Sequence, residues 1–135
     1  MAGKRIFRRG FEVENLSDGL EVRIKPYART GRGDSKFRPL EDPFINFDIV
    51  DEDGTPVTVF DPPFTLRVFY DRFHFNAVGG DVDRLKLGFW QNGQWNEFTE
   101  AEHNFYITED PNYPVTGYGT VNISEWSDPM VGWGN

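Results

Sequence analysis

Cysteine is absent from the 135 residues. That excludes a disulfide framework and a thiolate zinc site, and it leaves the redox compartment open. Histidine is scarce, with His74 and His103 alone, and they fall on different predicted elements. A zinc site needs both plus a carboxylate, so each is read as a surface or hydrogen-bonded residue. Nucleophilic catalysis has few bases to draw on. Ser17, Ser35, Ser124 and Ser127 all lack a Gly-x-Ser-x-Gly context. No phosphate-cradling glycine loop, internal repeat or helical hydrophobic stripe is present. No run approaches the ~18 apolar residues of a membrane helix. The acids of Phe11-Glu12-Val13-Glu14 interrupt any signal-peptide core after the basic start. The expectation is a soluble chain with no cofactor and no membrane span, in an unassigned compartment.

Charge is present in quantity but unevenly divided. Residues 1–38 carry ten Lys/Arg against five acids, a net of +5, whereas residues 39–135 carry four against seventeen, a net of −13. A small protein polarised in this way attracts copies of itself, or a partner charged in the opposite sense at each end. The overall −8 argues against general nucleic-acid binding.

Thirteen Phe and four Trp supply the means to build a core, since each buried aromatic removes ~150–250 Å² from water. The apolar residues follow period two. Leu20/Val22/Ile24, Ile45/Phe47/Ile49, Phe64/Leu66/Val68/Tyr70, Leu85/Leu87/Phe89, Phe105/Ile107 and Val121/Ile123 all alternate with other residues. Short strands at ~8–12-residue spacing predict an all-β antiparallel sandwich, Ig-like or jelly-roll-like. Asp53-Gly54 and Asn92-Gly93 tolerate the positive φ of tight hairpins, so 43–50 is expected to pair with 56–60 and 84–90 with 94–99. Leu16 to Gly19 is expected to join 11–15 to 20–27. Pro62 and Pro63 are expected between strands. A short helix is expected within 71–83. The organisation read from this is a basic N-terminal arm over 1–10, one sandwich domain over 11–135, and an irregular tail from 125.

Several residue groups invite a functional reading. Arg32-Gly33-Asp34 spells an integrin-recognition tripeptide, and is read as a solvated glycine-rich loop. Asp48, Asp51 and Asp53, with Glu52, crowd carboxylates into one turn. Calcium takes 6–8 oxygen ligands, but an EF-hand needs a Glu near Val59 or Phe60, so a solvated turn is preferred. Asp81, Asp83 and Asp71 form a second acidic group of the same kind. Trp90, Trp95 and Trp126 offer flat rings for stacking on sugars. By alternation Trp90 faces away from Leu85, Leu87 and Phe89. A patch of exposed rings would mark a contact surface, and rings closing the ends of a sandwich are the alternative.

Phe64-Thr-Leu-Arg-Val-Phe-Tyr-Asp71, Leu85-Lys-Leu-Gly-Phe-Trp90, Gly93-Gln-Trp95 and Gly119-Thr-Val-Asn-Ile-Ser124 resemble, in order and spacing, ZU5-like and immunoglobulin-like β-sandwich modules of bacterial surface and repeat proteins. The resemblance covers residues 64–124. It implies a scaffolding or interaction module without catalytic residues, and it transfers no site.

The functional expectation is therefore a non-enzymatic structural or interaction module. It would assemble with itself or with a larger protein assembly, as accessory and decoration proteins do. The contact residues expected are Lys4, Arg5, Arg8 and Arg9 on the basic side, with Trp90 and Trp95 on the aromatic side. The alternatives are a carbohydrate-binding module for polysaccharide, a small carboxylate enzyme, and an acidic mimic of nucleic acid.

Overall fold

The computed structural model describes residues 4–8, 10–25, 40, 45–91, 93–105, 115–127 and 130–135. Ten strands are named in chain order: β1 (Lys4–Arg8), β2 (Phe11–Leu16), β3 (Glu21–Ile24), β4 (Ile45–Val50), β5 (Val59–Asp71), β6 (Lys86–Gln91), β7 (Gln94–Glu97), β8 (Glu102–Phe105), β9 (Val115–Glu125) and β10 (Met130–Gly134). They form two antiparallel sheets, ordered β1-β2-β5-β9-β8 and β3-β4-β10-β6-β7. The second is continuous through a two-pair seam between β10 and β4, Met130↔Asn46 and Val131↔Ile45. The all-β sandwich expected from alternation is the architecture observed.

The alternating apolar residues meet between the sheets. Phe64, Leu66, Val68 and Tyr70 of β5 are buried, as are Phe47 and Ile49 of β4, Leu87 of β6, and Val121 and Ile123 of β9. Fully burying such a side chain contributes about 1.5–3 kcal/mol. An aromatic column fills one end. Phe11 stacks on Phe47 at 4.8 Å and Phe47 on Trp126 at 4.5 Å, with Phe64 edge-on to Trp126. Two indoles tie the layers together in opposite directions. Trp126, which follows β9, donates its Nε1–H to the Phe47 carbonyl at 2.8 Å, and Trp133 of β10 donates to the Phe69 carbonyl at 3.0 Å. Each bond gives a buried polar group its partner in the facing sheet.

The sandwich extends further than expected at both ends of the chain. Residues 4–8, expected as part of an arm outside the domain, form the edge strand of the first sheet and pair with β2. Residues 130–134, expected in an irregular tail, form a strand flanked by β4 and β6 at the centre of the second sheet. Val131 and Trp133 are buried there. The alternating glycines of Met-Val-Gly-Trp-Gly hid the strand, because glycine is depleted in strands on propensity alone.

The turns divide in the same way. β6 and β7 pair through Trp90↔Trp95 and Gln91↔Gln94, as expected, and Gly93 has φ +78°. Gly54 has φ +80° in the expected 51–54 turn, but pairing beyond it is brief. It consists of the bridge Val50↔Pro56 and the bond from Val57 N–H to the Ile49 carbonyl. The chain then crosses to the other sheet as β5. Likewise Ser17–Gly19 joins β2 to β3 between sheets rather than within a hairpin. Pro62 and Pro63 lie inside β5, where the register with β9 jumps from Val59↔Glu125 to Phe64↔Ile123, so these two residues, which lack N–H donors, fall outside the regular ladder.

One residue in β2 breaks the alternation. Asn15 has φ +63°. The ladder with β1 passes from Lys4↔Leu16 to Ile6↔Val13, leaving an extra residue on β2. This bulge reverses the phase of the strand, so Leu16 enters the core and Asn15 faces solvent.

The expected short helix is α1 (Arg72–Ala77). Asp71 caps it, with its carboxylate accepting from His74 N–H at 3.3 Å while His74 Nδ1 accepts from Asp71 N–H at 3.2 Å. The reciprocal arrangement is a capping box, and it accounts for the burial of His74.

Candidate interaction surfaces

The outer face of the first sheet holds an ion-paired cluster. Arg67 of β5 lies between Glu12 and Glu14 of β2, at 3.3 Å from Glu12 Oε1 and in closer contact with Glu14. Its guanidinium also stands 6.0 Å from the centre of the Tyr118 ring. Glu12 is only 2% exposed, so this cluster, one guanidinium shared by two carboxylates, ties β2 to β5.

The edges differ from that face and from each other. β1 carries Lys4, Arg5 and Arg8 along one edge of the first sheet. Arg9 lies outside the described residues, as do Arg32, Gly33 and Asp34. At the far side of the molecule, β8 pairs with β9 only as far as Glu102↔Thr120. Residues 121–125 of β9 therefore have no strand beside them on that side among the described residues.

A cleft opens at that place, between the end of β9 and the Glu97–Glu100 turn that follows β7. It encloses about 280 Å³ and continues into a second hollow of about 210 Å³ beside Trp126. Phe89 and Phe98 form its apolar wall, with ring centres 4.5 Å apart, and Val121 and Ile123 line it from β9. The Phe98 N–H bonds to the Leu87 carbonyl at 2.8 Å, which fixes the turn against β6. Glu97, Glu100 and Glu125 form an exposed carboxylate rim. Lys86 lies 3.9 Å from Glu97. Among the described residues Glu100 and Glu125 make no ion pair. Periodicity missed this cleft, because its two halves come from strands of different sheets and no local motif links 97–100 to 121–125.

Three of the four tryptophans are buried. Trp95 is 3% exposed, as is Trp126, so neither presents a flat ring to a sugar or a protein. This corrects the expectation that Trp95 lies at a contact surface and Trp126 forms a platform. Trp90 does face away from Leu87, beside Trp95, in an edge-to-face contact at 5.8 Å, and it keeps part of its ring in solvent. Trp126 belongs to the core between the sheets, whereas Trp95, directly paired with Trp90, is buried on the face that points away from Leu87.

The acidic turn has local structural roles. Asp51 Oδ1 accepts from the N–H groups of Asp53 and Thr55, both at 2.9 Å, and Asp48 lies 3.6 Å from Lys25. In the second acidic group, Asp81 Oδ1 accepts from Asp83 N–H at 3.2 Å and Asp71 caps α1. Among the described residues no group of three or more His, Cys, Asp or Glu is gathered where it could hold a metal ion. No helix among them is long and apolar enough to cross a membrane.

Comparison with protein-family models, with curated proteins and with solved structures finds no match. These comparisons neither support nor oppose the ZU5-like resemblance.

Proposed function

We propose that this protein is a non-enzymatic interaction module that assembles through oppositely charged edges of its sandwich, with copies of itself or within a larger protein assembly. The single observation that carries the reading is strand order. The order β1-β2-β5-β9-β8 sets the cationic strand three strands from β9 and four from β8, about 14 Å and about 19 Å at ~4.8 Å per strand. The acid-rimmed cleft lies beside β9. Three of the ten basic residues of the first 38, Lys4, Arg5 and Arg8, thus fall on the edge strand opposite the acid-rimmed cleft. Opposite patches at opposite edges favour heterologous, head-to-tail contact rather than a two-fold dimer.

Exposed charge attraction is screened over ~8–10 Å at physiological ionic strength and over ~30 Å at 0.01 M. Sedimentation of the full chain across a salt series is therefore expected to give species larger than the monomer at low salt and monomer at high salt. A monomer at every salt concentration, at protein concentrations up to the millimolar range, refutes self-assembly.

A further inference from the structure

We infer that the cleft beside β9 seats an arginine side chain presented by a peptide segment of a partner protein. This deepens the assembly proposed above by naming the chemistry taken at its acidic side, and it rests on reading the molecule as an interaction module.

The cleft is an open flank of the sandwich. Phe89 of β6 and Phe98 are only partly buried and pack against the core from outside. Their rings, 4.5 Å apart between centres and tilted by 42°, wall the opening, and Val121 and Ile123 close it from the facing sheet. Its volume of about 280 Å³ lies just below the ~300–1,000 Å³ of small-molecule sites, which suits one long side chain.

The rim sets the charge. Glu97 has Lys86 at 3.9 Å, which leaves Glu100 and Glu125 as the uncompensated carboxylates of the rim among the described residues. These acids are not gathered closely enough to hold a metal ion. Spaced carboxylates over an apolar floor match a cation that is long, apolar along its stem and flat at its head. Arginine combines a methylene stem that packs on apolar surface, a guanidinium plane that lies on an aromatic ring, and forked donors for a carboxylate. A neutral or acidic side chain leaves the rim uncompensated.

The stretches outside the described residues are tethered elsewhere. β8 ends level with Gly117, through the pair Phe105↔Gly117, and β9 begins at Val115. Residues 106–114 would have to cover ~20 Å from there to Ile123 and ~26 Å back, at ~3.3 Å per residue. The chain from Phe105 to Val115 extends to about 36 Å at most, so it cannot fill the cleft. Residues 41–44 are tethered at both ends to β10, by the bond from Leu40 N–H to the Trp133 carbonyl and by the pair Ile45↔Val131. Residues 26–39 start from β3, at the opposite edge of the second sheet from β7, and a variant of their arginines separates them from a partner.

The test is heteronuclear NMR of the full chain at low salt. The probes are the peptide acetyl-Gly-Ala-Arg-Ala-Gly-amide and the same peptide with citrulline, which is uncharged and of the same shape, or lysine in place of arginine. Shifts are expected at 97–100 and 121–125. The arginine peptide is expected to bind about tenfold or more tightly than the citrulline peptide and at least about threefold more tightly than the lysine peptide. Glu100→Gln/Glu125→Gln changes two exposed side chains and is expected to abolish the preference for arginine over citrulline, whereas Asp81→Asn/Asp83→Asn is expected to keep it. Equal binding of the arginine and citrulline peptides, shifts confined to other residues, or no binding up to about 10 mM peptide overturns the inference, and equal binding of the lysine peptide overturns the choice of arginine. Binding by Arg29→Gln/Arg32→Gln/Arg38→Gln but not by the unmodified chain gives the cleft to residues 26–39 of the same molecule and overturns it too. Displacement of self-association by the arginine peptide supports it, with a second copy as the partner. If the chain self-assembles in the salt series while the arginine peptide does not bind, this inference falls and edge-driven assembly stands. If the chain is monomeric at every salt concentration while the peptides bind as expected, self-assembly falls and the cleft keeps its assignment.

Discussion

Gly119→Ala tests whether the two sheets are as closely fitted as the geometry requires. Gly119 lies on the inner face of β9, opposite Val68. A Cβ added there would stand 2.8 Å from Trp133 Cη2 and 3.4 Å from Leu87 Cδ2. Non-bonded carbons settle at about 3.5–4.0 Å, so the indole would have to retreat by about 0.7 Å or more. It has little freedom to do so. Its Nε1–H is bonded to the Phe69 carbonyl at 3.0 Å and Tyr70 packs edge-on against it at 5.1 Å. Overpacking costs about 1–3 kcal/mol and a lost hydrogen bond about 0.5–1.5 kcal/mol. Stiffening the unfolded chain returns about 0.4–1 kcal/mol. The net expectation is a loss of about 1–3 kcal/mol, or a fall in thermal midpoint of roughly 3–12 °C for a chain of this length. The decisive measurement is a double-mutant cycle with Trp133→Phe, whose phenyl ring does not reach the Cη2 position. Relief of the overlap makes the double variant about 1–2 kcal/mol more stable than the sum of the single losses. A neutral Gly119→Ala, or additivity within about 0.5 kcal/mol, refutes the argument.

Two further outcomes follow from the same contacts. Arg67→Met removes the cation that Glu12 and Glu14 share, and urea denaturation is expected to show a loss of about 1–3 kcal/mol; adding Glu12→Gln recovers part of that loss, and no recovery argues against charge as the cause. Trp126→Phe keeps most of the aromatic column and deletes the bond to the Phe47 carbonyl, so a loss of about 1–3 kcal/mol is expected in calorimetry. A Phe at 126 that costs nothing shows that the indole N–H does not help to hold the sheets together.

The strands on the inner faces were legible because burial on one side forces period two. That holds for Ile45/Phe47/Ile49, Phe64 to Tyr70 and Val121/Ile123. Ile24 shows where the rule weakens. It alternates correctly with Val22 but is 55% exposed, because β3 is an edge strand with little of the facing sheet over it. Helix α1 was legible from its place between a strand and Gly79-Gly80, whereas the role of His74 in its cap needed the backbone geometry.

What the sequence determined alone was the class of fold, the positive-φ turns at Gly54 and Gly93, and the split of charge along the chain. These are local properties, fixed by side-chain period, by the missing Cβ and by residue count. Tertiary structure decided which strands neighbour one another. Partner choice depends on contacts between residues far apart in sequence, and no short-range pattern records them. It turned a glycine-rich ending into a central strand, buried three of the four tryptophans, and put the basic start and the acidic cleft at opposite ends of one sheet.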